Sequence, residues 1–566
     1  MNHPRHPISI SPADKIKSPV AEIEDPNPLS TPSQAPLEEP LAPEPIKSRS
    51  FFAFLHPSAT HSAYSATLLL MLSTVFSGAL ALVRIKYINF LFGAGIAQDA
   101  YRAAFKLPDL LAYFLIGGAA SISLITVLNR YREAGDEEGG DRALSVILTT
   151  MLLVLGIGVL LAEIFAPQYV LLANKGFRND SAKAALCTTM TRLIIPGQLF
   201  FFIGSVMSAR LQVRKIFLYQ AFTPLIYNTG IILGAVFLHS RLGVTSLAVG
   251  VLAGMFIGSA VLNTIGALRT GLRYRPIIGF RDPAFLEWLK LSLPLMIGVS
   301  LVMFDGIFLN YYASLRNGGI TLIGNAKDLF NAPFNVIGPA AGAASLPFFA
   351  SLFQQRRLHD FSASVGRSVS RLFSVGMIVS AWMIALAPWL MDLFRGGKFN
   401  HADAAGTTHL FSILAITLAI WAVQGIYARA FYAASDTRTP AITGTIITVL
   451  SIPIYAVLFH AFGLEGLAIA SDIGILIQTA SLAILLHRKR LASLGHLEYA
   501  ELGRSLLAAI IAYLATAAAA HFLPPVSTHP KDVFTIAAAS IIWAAAAGLT
   551  LLATGSKLPR QILRRR

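Results

Sequence analysis

Apolar residues in this chain come in long blocks rather than in alternation with polar ones. From about residue 64 onward, fourteen stretches of 18 or more mostly apolar residues follow one another. Their approximate limits are 64–92, 97–129, 143–172, 182–209, 216–239, 244–268, 284–314, 319–353, 362–394, 404–433, 438–461, 464–486, 502–522 and 532–554. About 20 apolar residues let a helix cross the hydrocarbon core. The pattern therefore predicts an all-α polytopic membrane protein of about 14 transmembrane helices. Pro108, Pro196, Pro224, Pro294, Pro333, Pro339 and Pro453 fall inside these stretches. Membrane helices tolerate them where neighbours or cavity water satisfy the freed carbonyls.

Residues 1–60 break the pattern. They are rich in Pro, Ser and acidic residues, as in Glu22-Ile23-Glu24-Asp25-Pro26. Such a segment buries too little apolar surface to offset its ordering entropy, so a disordered cytoplasmic tail is predicted. No basic segment leads into an apolar one there, so it does not read as a signal peptide.

Composition agrees with the pattern: 55% of the 566 residues are hydrophobic, 13% are charged, and mean hydropathy is +0.63. The net charge of +16 sits in short loops between apolar spans and not on a polar domain, which argues against nucleic acid. It reports topology instead. Basic residues crowd the loops after even-numbered spans, as in Arg130/Arg132/Arg142, Arg269/Arg273/Arg275 and Arg488/Lys489/Arg490. Both termini are therefore predicted to be cytoplasmic. The single cysteine, Cys187, excludes an internal disulfide and reads as inert packing.

A repeat is legible in the sequence. Leu107-Pro108, Gly118-Ala119-Ala120-Ser121 and Arg130-Tyr131-Arg132 are answered by Ala332-Pro333, Gly342-Ala343-Ala344-Ser345 and Gln355-Arg356-Arg357. Ala166-Pro167 is answered by Ala387-Pro388, and Ala209-Arg210 by Ala428-Arg429. Matches in order at nearly one offset predict two parallel six-helix lobes, residues 61–275 and 276–490, with a substrate site between them. Residues 491–566 hold two accessory helices and a basic cytoplasmic C-terminus.

Charges inside the apolar stretches suggest the chemistry, because a charge at membrane depth is costly and usually faces an interior pathway. Arg84 and Lys86 lie in the first span on different sides of a helix, and Arg84 is the deeper. Asp99 and Lys106 are about two turns apart in the second, with Arg102 read as snorkelling to the headgroups. Guanidinium and ammonium groups with few carboxylates suit a phosphate-bearing substrate. In the second lobe Asp305 stands alone in mid-span and is a candidate proton or cation site. Lys327 and Asp328 are adjacent, so a local pair competes with a cavity role. Asp472 ranks lower. No Walker A loop, zinc-protease motif or nucleophile elbow is present, so no catalytic residue and no metal site is assigned.

The run Phe92-Gly93-Ala94-Gly95, Asp99-Ala100 and Ala104-Phe105-Lys106-Leu107-Pro108-Asp109-Leu110-Leu111 resembles the N-terminal signature of the lipid II flippase MurJ (MviN) family. That family lies within the multidrug/oligosaccharidyl-lipid/polysaccharide exporter superfamily. Weaker similarity continues through Gly397-Lys398-Phe399 and Thr437-Arg438-Thr439-Pro440. The resemblance implies an inner-membrane flippase that moves undecaprenyl-pyrophosphate-linked disaccharide-pentapeptide to the periplasmic leaflet by alternating access. The lipid tail would run along a groove involving the last two helices. It adds Ser77 to Arg84, Asp99 and Lys106 as substrate-binding candidates, beside Asp305, Lys327 and Asp328 as a second-lobe cavity or ion site. No cofactor is implied, coupling to the membrane potential or a monovalent cation stays open, and a monomer among membrane lipids is expected.

The chain also departs from the family pattern. Gly78 replaces the first Arg, Ala112-Tyr113 a basic pair, and Gly117 an acidic residue, while Lys327-Asp328 and Asn331 replace Asp-Arg and Glu. Two alternatives follow. One is an exporter of another polyprenyl-linked glycan or amphiphile, and the other is a transport-inactive scaffold for envelope assembly.

Overall fold

The computed structural model describes residues 63–113, 118–296, 301–523, 526 and 528–559; the predicted tail and the last basic residues lie outside them. Among the described residues the architecture is helical, with one isolated bridge between Gly396 and Phe399. In chain order the helices are α1 (Ala63–Phe92), α2 (Ile96–Ala104), α3 (Lys106–Leu111), α4 (Gly118–Glu133), α5 (Glu137–Ala173), α6 (Ser181–Ile194), α7 (Gly197–Val213), α8 (Leu218–Leu242), α9 (Thr245–Gly254) and α10 (Leu262–Arg269). There follow α11 (Pro283–Met296), α12 (Leu301–Ala313), α13 (Gly319–Gln354), α14 (Leu358–Asp392), α15 (His401–Ile416), α16 (Leu418–Ala433), α17 (Arg438–Arg488), α18 (Tyr499–Ala520) and α19 (His529–Ala553).

Every predicted stretch is occupied by helix, but not every one is an unbroken span. Among the described residues nine helices are long and apolar enough to cross a membrane, or ten if α15 and α16, bent by 43°, form one span. The stretch predicted at 97–129 holds α2, α3 and α4 and is interrupted at Phe105. Pro108 has no N–H to give to the Ala104 carbonyl, and α2 ends at Ala104. In the stretch at 284–314, α11 packs on α4 and α5, and α12 packs on α17.

The 51-residue α17 is two helices in one. At about 1.5 Å per residue it would be far longer than a bilayer is thick, and Gly463 breaks it with φ +61 and ψ −133. Its two ends meet, since Lys489 Nζ lies 2.6 Å from Asp436 Oδ2. The chain therefore reverses at Gly463.

Eight of the thirteen backbone positions with positive φ among the described residues fall in four pairs separated by 219–221 residues. Gly135 pairs with Arg356, Lys215 with Ser435, Gly243 with Gly463 and Gly271 with Arg490. Gly243, with φ +54 and ψ −136, nearly duplicates the Gly463 geometry 220 residues earlier.

Side chains sort by what they face. Phe177, Ile231, Phe330, Phe411 and Tyr455 are buried in the largest core, and Cys187 is buried with them. Phe76, Leu160, Phe237, Ile541 and Leu549 are exposed along the spans, as expected of helices solvated by lipid. The accessory helices α18 and α19 pack on one another and on α14.

Candidate functional site

A cavity of about 570 Å³ lies among α1, α2, α3, α12, α13 and α16. The first five of these helices contribute charged groups, and α16 contributes Trp421. Arg84 comes from α1, Arg102 from α2, Lys106 and Asp109 from α3, Asp305 from α12, and Lys327, Asp328 and Asn331 from α13. Arg84, Lys106, Asp305, Lys327 and Asp328 thus share one wall system. Ser77 and Asp99 lie outside the lining.

The wall carries four cations and three carboxylates, and the pairing is long-range. Lys327 Nζ lies 2.9 Å from Asp305 Oδ2 and Arg102 Nη1 lies 2.9 Å from Asp328 Oδ2. Lys327 and Asp328 are therefore not a local pair. Arg102 does not snorkel either: it reaches across to α13, where it also donates to Asn325 Oδ1. Among the described residues Arg84 and Lys106 have no ion-pair partner within 4 Å. They are the two cations left to meet an anion.

Asp305 also accepts from the Tyr455 hydroxyl. Lys327 donates to Ser471 Oγ at 3.1 Å and sits 4.4 Å from the Trp421 ring centre. A covalently attached ammonium so occupies the place beside Asp305 that the sequence reading offered to a proton or cation. Asp472, lower ranked in sequence, accepts from the Thr417 hydroxyl nearby.

Asp99 does different work. It is fully buried, forms a 2.9 Å ion pair with Lys183 of α6, and accepts from the N–H groups of Gly318 and Thr321 and from the Thr321 hydroxyl at 2.7–2.8 Å. A carboxylate at the first turn of α13 is well placed for that helix's N-terminal N–H groups. Two turns of unbroken helix would put Asp99 and Lys106 on one face, but the break at Phe105 separates them: Asp99 holds helices together and Lys106 lines the cavity.

Further contacts gather at the same end. Asn310 donates to Asn174, and Gly176 N–H to Ser314 Oγ at 2.9 Å. The Lys398 N–H donates to Phe90 O at 3.0 Å. Gly93 and Gly397 are required there, because both have positive φ and a Cβ on either would press within 2.5 Å of opposing backbone carbonyl oxygen. This end of the cavity is sealed. Ser77, from the resemblance, accepts from Asn228 of α8 at 3.2 Å. Lys86 lies 3.4 Å from His529 Nδ1 at the start of α19.

Sequence reasoning missed Arg102 as a cavity residue and Lys183 as the partner of Asp99. Arg102 carried a signal, lying one turn before Lys106. Lys183 carried none, since it stands among polar residues at a helix start.

A charged cavity within a bundle of nine or ten membrane-crossing helices among the described residues, with contacts closing one end, defines a multi-pass membrane transporter. The profile described as lipid II flippase MurJ matches residues 88–536. The chain belongs to the MurJ family, whose members are multi-pass inner-membrane proteins. Among curated relatives, a probable lipid II flippase MurJ of Borreliella burgdorferi is 24% identical over 414 residues, 73% of this chain and 81% of its own. The lipid II flippase MurJ of Burkholderia cenocepacia is 27% identical over 435 residues, 74% of this chain and 82% of its own. A solved lipid II flippase MurJ in an inward closed conformation superimposes with TM-score 0.69 at 19% identity, covering 86% of this chain and 99% of its own. An inward-facing multidrug resistance MATE transporter gives 0.60 at 15% identity, covering 75% and 98%. These structures share the fold.

Proposed function

We propose that this protein is a flippase for lipid II, carrying the undecaprenyl-pyrophosphate-linked disaccharide-pentapeptide from the cytoplasmic to the periplasmic leaflet. One observation carries the site assignment: Arg84 and Lys106 are the two wall cations without an ion-pair partner, in a cavity where Arg102 pairs with Asp328 and Lys327 with Asp305, and where Asp109, one turn beyond Lys106, is the single carboxylate outside those pairs. An anion entering there gains charge-assisted hydrogen bonds without first breaking an ion pair. A pyrophosphate fits that demand, and the work is translocation, with no bond made or broken.

The two-lobe reading is supported by the paired positive-φ positions, which recur at the spacing of the sequence repeat. With both termini cytoplasmic, α1 runs outward and the seal at Phe90–Gly93 is periplasmic, so the cavity receives substrate from the cytoplasm. Alternating access then consists of breaking the Asp99-centred contacts while the opposite end closes. Asp305, neutralised by Lys327, leaves the membrane potential as the favoured driving force over a bound monovalent cation. The protein works as a monomer.

The test is complementation of a strain depleted of its own lipid II flippase, with wild type and Arg84→Ala in parallel and membrane levels measured. Wild type is expected to rescue and Arg84→Ala to fail at normal abundance. Failure of well-inserted wild type overturns lipid II as the substrate, and full activity of Arg84→Ala removes that residue from the site.

A further inference from the structure

The internal repeat provides a control for Arg429. In the first half, Arg210 near the end of α7 forms a buried ion pair with Asp141 of α5, and Asp141 also accepts the Arg273 N–H at 2.9 Å. Arg429 follows Arg210 by 219 residues, near the end of α16. Ser362 follows Asp141 by 221, near the start of α14. Ser362 Oγ accepts the Ser493 N–H at 2.7 Å, and Ser493 follows Arg273 by 220. The serine thus keeps the loop-anchoring contact that Asp141 makes. Its remaining contact is His496 Nδ1 at 2.6 Å.

The charge has no successor. Among the described residues Arg429 has no ion-pair or hydrogen-bond partner, although it is half-buried. A guanidinium carries five N–H donors and cannot be neutralised by deprotonation, so one held partly out of water calls for an anion.

Its position says which anion. Trp421, Gly425 and Arg429 are four residues apart and share one face of α16. Trp421 lines the cavity. Nη1 of Arg429 folds back over Gly425, where even a Cβ would lie 3.2 Å from it. The guanidinium is therefore about one turn beyond Trp421. That turn leads away from the seal, because α16 runs alongside α13: Trp421 packs against Phe330 and Phe334 near the cavity, while Ile426 and Tyr427 share a core with Phe349 and Leu352 further along.

We propose that Arg429 is a second anion subsite, which pairs with a carboxylate on the peptide of the carried headgroup while Arg84 and Lys106 hold its pyrophosphate. This rests on the flippase reading. The loss of the Asp141 equivalent frees the guanidinium for cargo, so Arg429 sets specificity for peptide-bearing headgroups over bare polyprenyl pyrophosphate.

The experiment measures binding by the purified full-length protein, in lipid nanodiscs, of two ligands: lipid II, and undecaprenyl pyrophosphate, which has no carboxylate. Arg429→Gln is expected to weaken lipid II binding by about tenfold or more and to leave undecaprenyl pyrophosphate binding unchanged; Arg84→Gln weakens both. The unaltered protein should lose a similar factor when the peptide carboxylates of lipid II are amidated, a measurement that does not depend on how the variant folds. Unchanged lipid II binding by Arg429→Gln, equal loss for both ligands, or indifference of wild type to amidation overturns the proposal. Wild type that binds neither lipid overturns the flippase reading itself, and this inference with it.

Discussion

Lys327 and Asp305 neutralise each other at 2.9 Å, with side chains 15% and 6% exposed. Removing one member of such a buried pair leaves an uncompensated charge, at a cost of about 3–5 kcal/mol, whereas replacing both with neutral groups often costs little. Lys327→Met is therefore expected to lower the melting temperature in detergent more than Lys327→Met combined with Asp305→Asn. Additive losses in the double variant would show that the two side chains act independently. Lys86→Ala, which removes only a 3.4 Å contact with His529, should leave transport nearly intact. At this scale the sequence indicated depth and helix face but not partners. Arg84 was legible because an arginine deep in an apolar run needs an interior cavity. Asp99 and Lys183 are 84 residues apart, and Arg102 and Asp328 are 226 apart. Only the packing of α2 against α6 and α13 brings them together, so Arg102 looked like a snorkelling residue until its acceptor was in view.

Helix boundaries followed from the apolar pattern wherever a loop or glycine interrupts it. The gap between the stretches at 438–461 and 464–486 falls on Gly463, whose positive φ turns α17 back on itself. Breaks inside a continuous apolar run were less legible, as at Phe105, because hydrophobicity does not register a kink around Pro108. The α17 hairpin is closed by Asp436, which accepts from Lys489 Nζ at 2.6 Å, Thr439 Oγ1 at 2.7 Å and Thr439 N–H at 3.0 Å. Burial works against the charged form, but these hydrogen bonds outweigh it and hold the carboxyl at about 2. A carboxyl depressed in the folded state stabilises above its unfolded pKa of about 3.9 and loses that contribution as pH falls through the folded value. Wild type should thus unfold at higher temperature than Asp436→Asn at neutral pH, with the gap closing between about pH 4 and pH 2. A gap that persists below that range would mean that the carboxylate's charge is not what closes the hairpin.

For the whole molecule, the contacts around Asp99, Gly318 and the Phe90–Lys398 bond gather at one end of the cavity, and the topology proposed from the Lys/Arg bias of the loops would put that end at the periplasm. On that proposal the cavity opens to the cytoplasm, which labelling can test. The chain offers a direct check, because its only cysteine, Cys187, is fully buried and can be replaced by Ala to give a thiol-free background. Asn331 lines the cavity and is half-buried, with no charge to disturb. A single Asn331→Cys thiol should therefore react with a membrane-impermeant maleimide in inverted vesicles and stay unlabelled in right-side-out ones. Reversed labelling would put the termini outside and invert the direction of transport. Equal labelling from both sides would mean that the contacts around Asp99 do not close the cavity. Labelling only from the cytoplasmic side that falls when lipid II is added would unite topology and site, since the bound headgroup would lie against the wall that carries Arg84, Lys106 and Asn331.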